Sequence, residues 1–166
     1  MGRQIKFLGH PVHPILIVFP LGLLTTAVVF DLLYLVFRVE VFPQIAYWMI
    51  AAGIVGGALA ALVGAVDWLG LPGGTRAKSV GLIHGLGNAG VLILFGISLW
   101  LRSSQPAAAP GLWALLLAFL GAGLSAFTGW LGGELVYRMG VSVDPGANLD
   151  APSSLSDQPA DQKRRS

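Results

Sequence analysis

Three histidines and two carboxylates are the side chains of this sequence best suited to chemistry: His10, His13, His84, Asp67 and Glu134. Imidazoles with carboxylates suit iron, zinc, copper or manganese, and two neutral imidazoles on facing helices suit the axial positions of a b-type haem. All five are candidate metal ligands, and His13 with His84 is the candidate axial pair. The His-x-x-His spacing of residues 10–13 is a weak motif by itself. There is no cysteine, which excludes disulfides, thiolate metal sites and covalent c-type haem. Nothing in the sequence has the spacing of a serine–histidine–aspartate triad, a phosphate loop or a dinucleotide fingerprint. GLPGGTRAKS at 70–79 is glycine-rich but lacks the lysine–serine/threonine ending of a phosphate loop, and it reads as a flexible basic connector.

Membrane-spanning helices must position these residues. Of 166 residues, 55% are hydrophobic and 11% charged, with a mean hydropathy of +0.75. Soluble domains carry about 25% charged residues, so lipid is the solvent here. Four apolar stretches, 12–37, 44–69, 80–101 and 111–133, each reach the roughly 20 residues a span needs. Runs of this length without alternation argue against strands. The fold expected is an all-α, four-transmembrane-helix bundle over residues 1–143. The first run follows Arg3 and Lys6 as in a signal peptide, but it is too long and holds Pro14 and Pro20, so it reads as a retained helix. Residues 144–166 are rich in Pro, Ser, Asp and Gly and are expected to form a disordered polar tail. The net charge of +2 is scattered, which excludes a nucleic-acid interface.

With the N-terminus in the cytoplasm, the inner side collects Arg3, Lys6, Arg76, Lys78, Arg138, Lys163, Arg164 and Arg165, against Arg38 and Arg102 outside. Both termini are therefore expected on the cytoplasmic side of the membrane. In that topology each of the four spans brings one of His13, Asp67, His84 and Glu134 to the same face. His84, Asn88, Val91, Phe95 and Ser98 share one side of the third span; Asp67 lies on the stripe of Gly56, Ala60 and Gly64; Gly121, Ser125, Thr128 and Gly132 form a stripe on the fourth. Polar groups in lipid turn inward, and Gly53, Gly57, Ala61 and Ala65 allow close helix approach. Asp67 is expected beside a histidine ring. Four further polar residues have structural readings: Asp31 neutralised by Arg102 or Arg38 at the outer end, Asn88 beside His84, and Arg138 paired with Glu134 four residues earlier.

GHPVHPILIVFPLGLL at 9–24, FDLLY at 30–34, AALVGAVDWLGLP at 60–72, His84 with Asn88, and TGWLGGELVYRMGVSV at 128–143 occur in order. Together they resemble a bacterial family of predicted membrane proteins, domain of unknown function 2231. The resemblance implies no established activity. It implies redox work only through relatives joined to Rieske-type or cytochrome c-type modules, which would make such proteins the partners. The leading reading is a haem- or metal-binding subunit in membrane electron transfer. The alternatives are a cofactor-free structural or assembly subunit, and a small transporter or channel. The topology has a direct check: reporter fusions after Phe42 and Pro106 should score outside and one after Gly74 inside, and the reverse pattern would invert the orientation.

Overall fold

The computed structural model describes residues 4–156 and 158–162. Arg3, Lys163, Arg164 and Arg165 of the charge count lie outside the described residues. A two-stranded hairpin, β1 (Lys6–Phe7) and β2 (His10–Pro11), leads into four helices: α1 (Val12–Phe37), α2 (Val41–Leu69), α3 (Arg76–Arg102) and α4 (Leu112–Gly133). The last turn of α4 widens into a π-helical winding over Glu134–Arg138. The helices are long and apolar enough to cross a membrane. Boundaries match the sequence reading to within a few residues; α2 starts three residues before the expected span and α3 four. The small hairpin was not expected. It turns on Leu8 and Gly9, both at positive φ, and is too short to carry the strand pattern of a sequence.

Local chemistry sets the helix ends. Pro11 caps α1 and Pro14 falls in its first turn, where backbone N–H groups have no helical partner to lose. Thr75 accepts from Lys78 N at the start of α3. Lys78 Nζ reaches back to Trp68 O and sits over the Trp68 ring, while Trp68 Nε1 donates to Lys78 O. This reciprocal clasp places a cation on the carbonyl end of α2, as the helix dipole favours.

Successive helices run antiparallel, with α1 on α2, α3 on α4 and α2 bridging to α3; α1 and α4 touch little. Interhelical contact depends on glycines. A Cβ on Gly53 would stand 2.7 Å from Leu24 Cδ2, on Gly57 2.5 Å from Leu92 Cδ2, on Gly87 2.5 Å from Thr128 Cγ2, and on Gly121 2.8 Å from Phe95 Cε2. In lipid no hydrophobic force draws helices together, so close packing of this kind must do it. Leu24, Ala27, Val28, Ala46, Ile50, Val91, Phe95 and Ala118 form the core between them. Gly53, Gly56, Ala60 and Gly64 pack toward α1 and Gly57 toward α3; the expected Ala61 and Ala65 face outward.

Exposed tryptophans stand near both ends of the bundle. Trp48, Trp100 and Trp113 project from the end of the bundle where α2 and α4 begin, and Trp130 from the opposite end. Trp113 and Trp130 are seventeen residues apart on α4, about 25 Å of helix. That is close to the roughly 30 Å of hydrocarbon that aromatic belts bracket.

The packing has a paired test. Gly121→Ala should cost about 1–3 kcal/mol, because the buried Phe95 ring cannot yield. Gly22→Ala, with nothing within 4 Å, should be neutral or stabilise by up to about 1 kcal/mol, the helix preference of Ala over Gly. Detergent-unfolding curves give both values, and equal losses would mean that the Gly121 notch does not hold the helices.

Candidate functional site

Two polar layers cross the bundle, one near each aromatic level. The first joins α1 to α3 by charge. Arg102 Nη1 and Nη2 each donate to one oxygen of Asp31 at 2.7 Å, with the Asp31 carboxylate fully buried and Arg102 nearly so. Arg102 Nε donates to Ser98 Oγ, whose hydroxyl donates to Ala114 O on α4 at 2.7 Å. Of the two partners open to Asp31, the structure selects Arg102. Arg38 ends α1 in a left-handed conformation with its guanidinium over Tyr34.

The second layer holds the histidines. The His13 and His84 ring centroids are 6.5 Å apart and the rings nearly perpendicular. His13 Nδ1 bonds Ala60 O on α2 at 2.9 Å, and His84 Nδ1 bonds Thr128 O on α4 at 2.8 Å. A carbonyl can only accept, so both rings carry hydrogen on Nδ1, and in the neutral form Nε2 keeps a lone pair. Asn88 Nδ2 donates to His84 O at 2.9 Å and approaches His84 Nε2 at 3.2 Å. Thr128 Oγ1 donates to Asn88 Oδ1. Among the described residues, His13 Nε2 forms no hydrogen bond. Each ring rests on glycine: a Cβ at Gly64 would lie 2.8 Å from His13 Cε1, and one at Gly132 3.2 Å from His84 Cε1.

The remaining candidates are held elsewhere. Asp67 accepts from Ile5 N, not from a ring; backbone carbonyls orient the imidazoles instead, because Asp67 lies a turn beyond Gly64 and meets the incoming N-terminal segment. Glu134 pairs with Arg76 on α3 at 2.8 Å, not with Arg138, which is exposed. The π-winding over 134–138 changes the angular step on which a four-residue pairing depends. His10 Nε2 lies 3.1 Å from Ser154 Oγ, whose hydroxyl also reaches Leu8 O. Lys6 pairs with Asp144 and Gln4 donates to Ser142, so the chain after α4 lies against the hairpin.

Among the described residues no group of three or more His, Asp or Glu side chains is placed to hold a metal ion. Nor does the pair as built fit a haem. The glycine notches that would admit a macrocycle are filled by the rings themselves.

Ser98 and Thr128 were placed on interior stripes by the sequence but not named as site residues, and the carbonyls of Ala60 and Ala114 were not expected there. Backbone carbonyls leave no trace in a sequence. The alignment of the two layers does leave one: His13 to Asp31 and His84 to Arg102 are both eighteen residues. Eighteen residues make five helical turns, so each helix presents its imidazole and its charge on one face.

The ion pair should behave as a unit. Asp31→Ala strands a buried guanidinium and should cost about 3–5 kcal/mol. Asp31→Leu combined with Arg102→Leu should recover a large part of that loss. If the double variant loses as much as the sum of the singles, the two charges are not coupled.

A family model described as a predicted membrane protein (DUF2231) matches residues 9–145. No curated protein and no solved structure matches the chain.

Proposed function

The chain belongs to the DUF2231 family of predicted membrane proteins, and on that footing we propose that it serves as a structural or assembly subunit of a bacterial inner-membrane complex, without a resident haem. The observation that carries this reading is how the imidazoles use their hydrogen bonds. Both Nδ1–H groups bind the carbonyl of an adjoining helix, and the His84 ring is closed further by Asn88 and Thr128. A polar group satisfied by a neighbouring helix holds that helix in register, and losing it in an apolar interior leaves the partner unpaired. His13 therefore ties α1 to α2, and His84 ties α3 to α4. Asp31 and Arg102 tie α1 to α3 at the far end.

The orientation belongs to the same proposal. The Lys/Arg asymmetry favours both termini, the histidine layer and a polar tail from residue 144 on the cytoplasmic side. A transporter draws less support, because the buried polar groups gather near the two aromatic levels while Phe95, Val91, Ile50 and Leu24 fill the middle. Rieske-type or cytochrome c-type partners rest on the family resemblance alone.

The test is a spectrum joined to a stability measurement. Protein purified from haem-replete cells should show no Soret absorption, and His84→Ala should lower its unfolding free energy by about 1–3 kcal/mol. A stoichiometric Soret band that disappears in both His13→Ala and His84→Ala would restore the electron-transfer reading.

A further inference from the structure

We propose that His13 and His84 form a two-coordinate seat for a single cuprous ion. Three features of the site lead there. The first is the ring separation. With each nitrogen about 2 Å from a shared ion, two imidazoles on opposite sides of it set their centroids about 6 Å apart; here they are 6.5 Å apart. The second is preparation of the ligands. A histidine that binds metal through Nε2 has its Nδ1–H fixed by a carbonyl or carboxylate, and both rings are fixed in this way by Ala60 O and Thr128 O. The third is the missing counter-charge. Asp67 and Glu134 are committed to Ile5 N and Arg76, so among the described residues no carboxylate stands with the rings.

These features select the ion. Zinc takes four ligands in its structural sites and three protein ligands plus water in its catalytic ones. A divalent charge between two neutral imidazoles in an apolar bundle would also lack compensation. Monovalent copper has a filled d shell, accepts two nitrogen ligands in a near-linear arrangement, and brings half the charge. Imidazole is a suitable copper ligand. Asn88 is the built-in competitor. Its amide lies 3.2 Å from His84 Nε2 but is better bonded, at 2.9 Å, to His84 O. Withdrawal of one weak contact therefore opens the second ligand, while His13 Nε2 is open already. The inference goes beyond the clamp reading and is separable from it: the clamp concerns the stability of the ion-free bundle, the seat concerns what that bundle binds.

The experiment titrates the full chain in detergent with Cu(I), kept reduced by ascorbate and buffered by a chromogenic cuprous chelator; ZnCl2 serves as the comparison ion. One equivalent of Cu(I) should be withdrawn from the chelator, and X-ray absorption should report two nitrogen neighbours. His13→Asn and His84→Asn keep an amide in the place of Nδ1–H and remove Nε2, so they can stay folded. Each should weaken binding by at least about tenfold. His10→Ala should bind as the parent does. Asn88→Ala should bind more tightly, because it removes the amide that competes for His84 Nε2; a purely structural role for Asn88 would not produce that gain. Zinc should bind more weakly than copper. Failure of the folded parent to compete with the chelator, or binding unchanged in His13→Asn, overturns the seat and leaves the clamp standing. Loss of folding in both Asn variants sends the decision to Asn88→Ala and the absorption spectrum: anything other than two nitrogen neighbours rejects the seat.

Discussion

The bundle is organised by a buried ion pair. Asp31 and Arg102 meet through two 2.7 Å bonds with almost no access to solvent. Removing two charges from water is expensive, and only close, bidentate geometry with the remaining donors satisfied offsets it. Arg102 meets that condition through Ser98 on its own helix and Ala114 O on α4. The pair links α1 to α3, which are not consecutive helices. It therefore fixes a relationship that the connecting loops cannot. Since His13 and His84 each lie eighteen residues before their charged partner, fixing one end brings the imidazoles level at the other.

Glycine makes that arrangement compact enough to work. The side chains that reach across the bundle would fall short if the backbones stood at ordinary separations. Gly53, Gly57 and Gly121 let Leu24, Leu92 and Phe95 sit directly against a neighbouring backbone, and Gly64 and Gly132 do the same for the two rings. The two kinds of contact thus depend on each other. Close packing supplies the attraction that lipid does not, and polar bonds choose which of several close-packed registers is occupied.

Much of this was legible in the sequence, and what was not has identifiable causes. The four spans follow from hydropathy and length, and the interior face of α3 follows from the spacing of His84, Asn88, Val91, Phe95 and Ser98. Asp31 admitted two partners, and only the three-dimensional packing decides for Arg102. Asp67 and Glu134 were expected with the histidines because they end their helices at the same level. Level is not direction, however. Both meet chain segments outside the bundle interior, namely the N-terminal strand region and the start of α3. The small-residue row of α2 was read as two candidate stripes. The structure uses parts of both, with Gly53, Gly56, Ala60 and Gly64 toward α1 and Gly57 toward α3, because α2 packs between two neighbours.

The two polar layers differ in a way that bears on where chemistry can occur. At the ion-pair end the carboxylate oxygens and the guanidinium are engaged with each other, and their strong mutual attraction makes exchange for another ligand unfavourable. At the histidine end each imidazole is bound through Nδ1 to one backbone carbonyl. Such bonds orient a ring without exhausting it: one lone pair per imidazole remains, covered in His84 by a replaceable amide and uncovered in His13. The bidentate pair is the stronger tie, and the Nδ1 bonds to Ala60 O and Thr128 O hold the helices independently of the Asn88 contact. A single membrane bundle can in this way be structural at one face and receptive at the other.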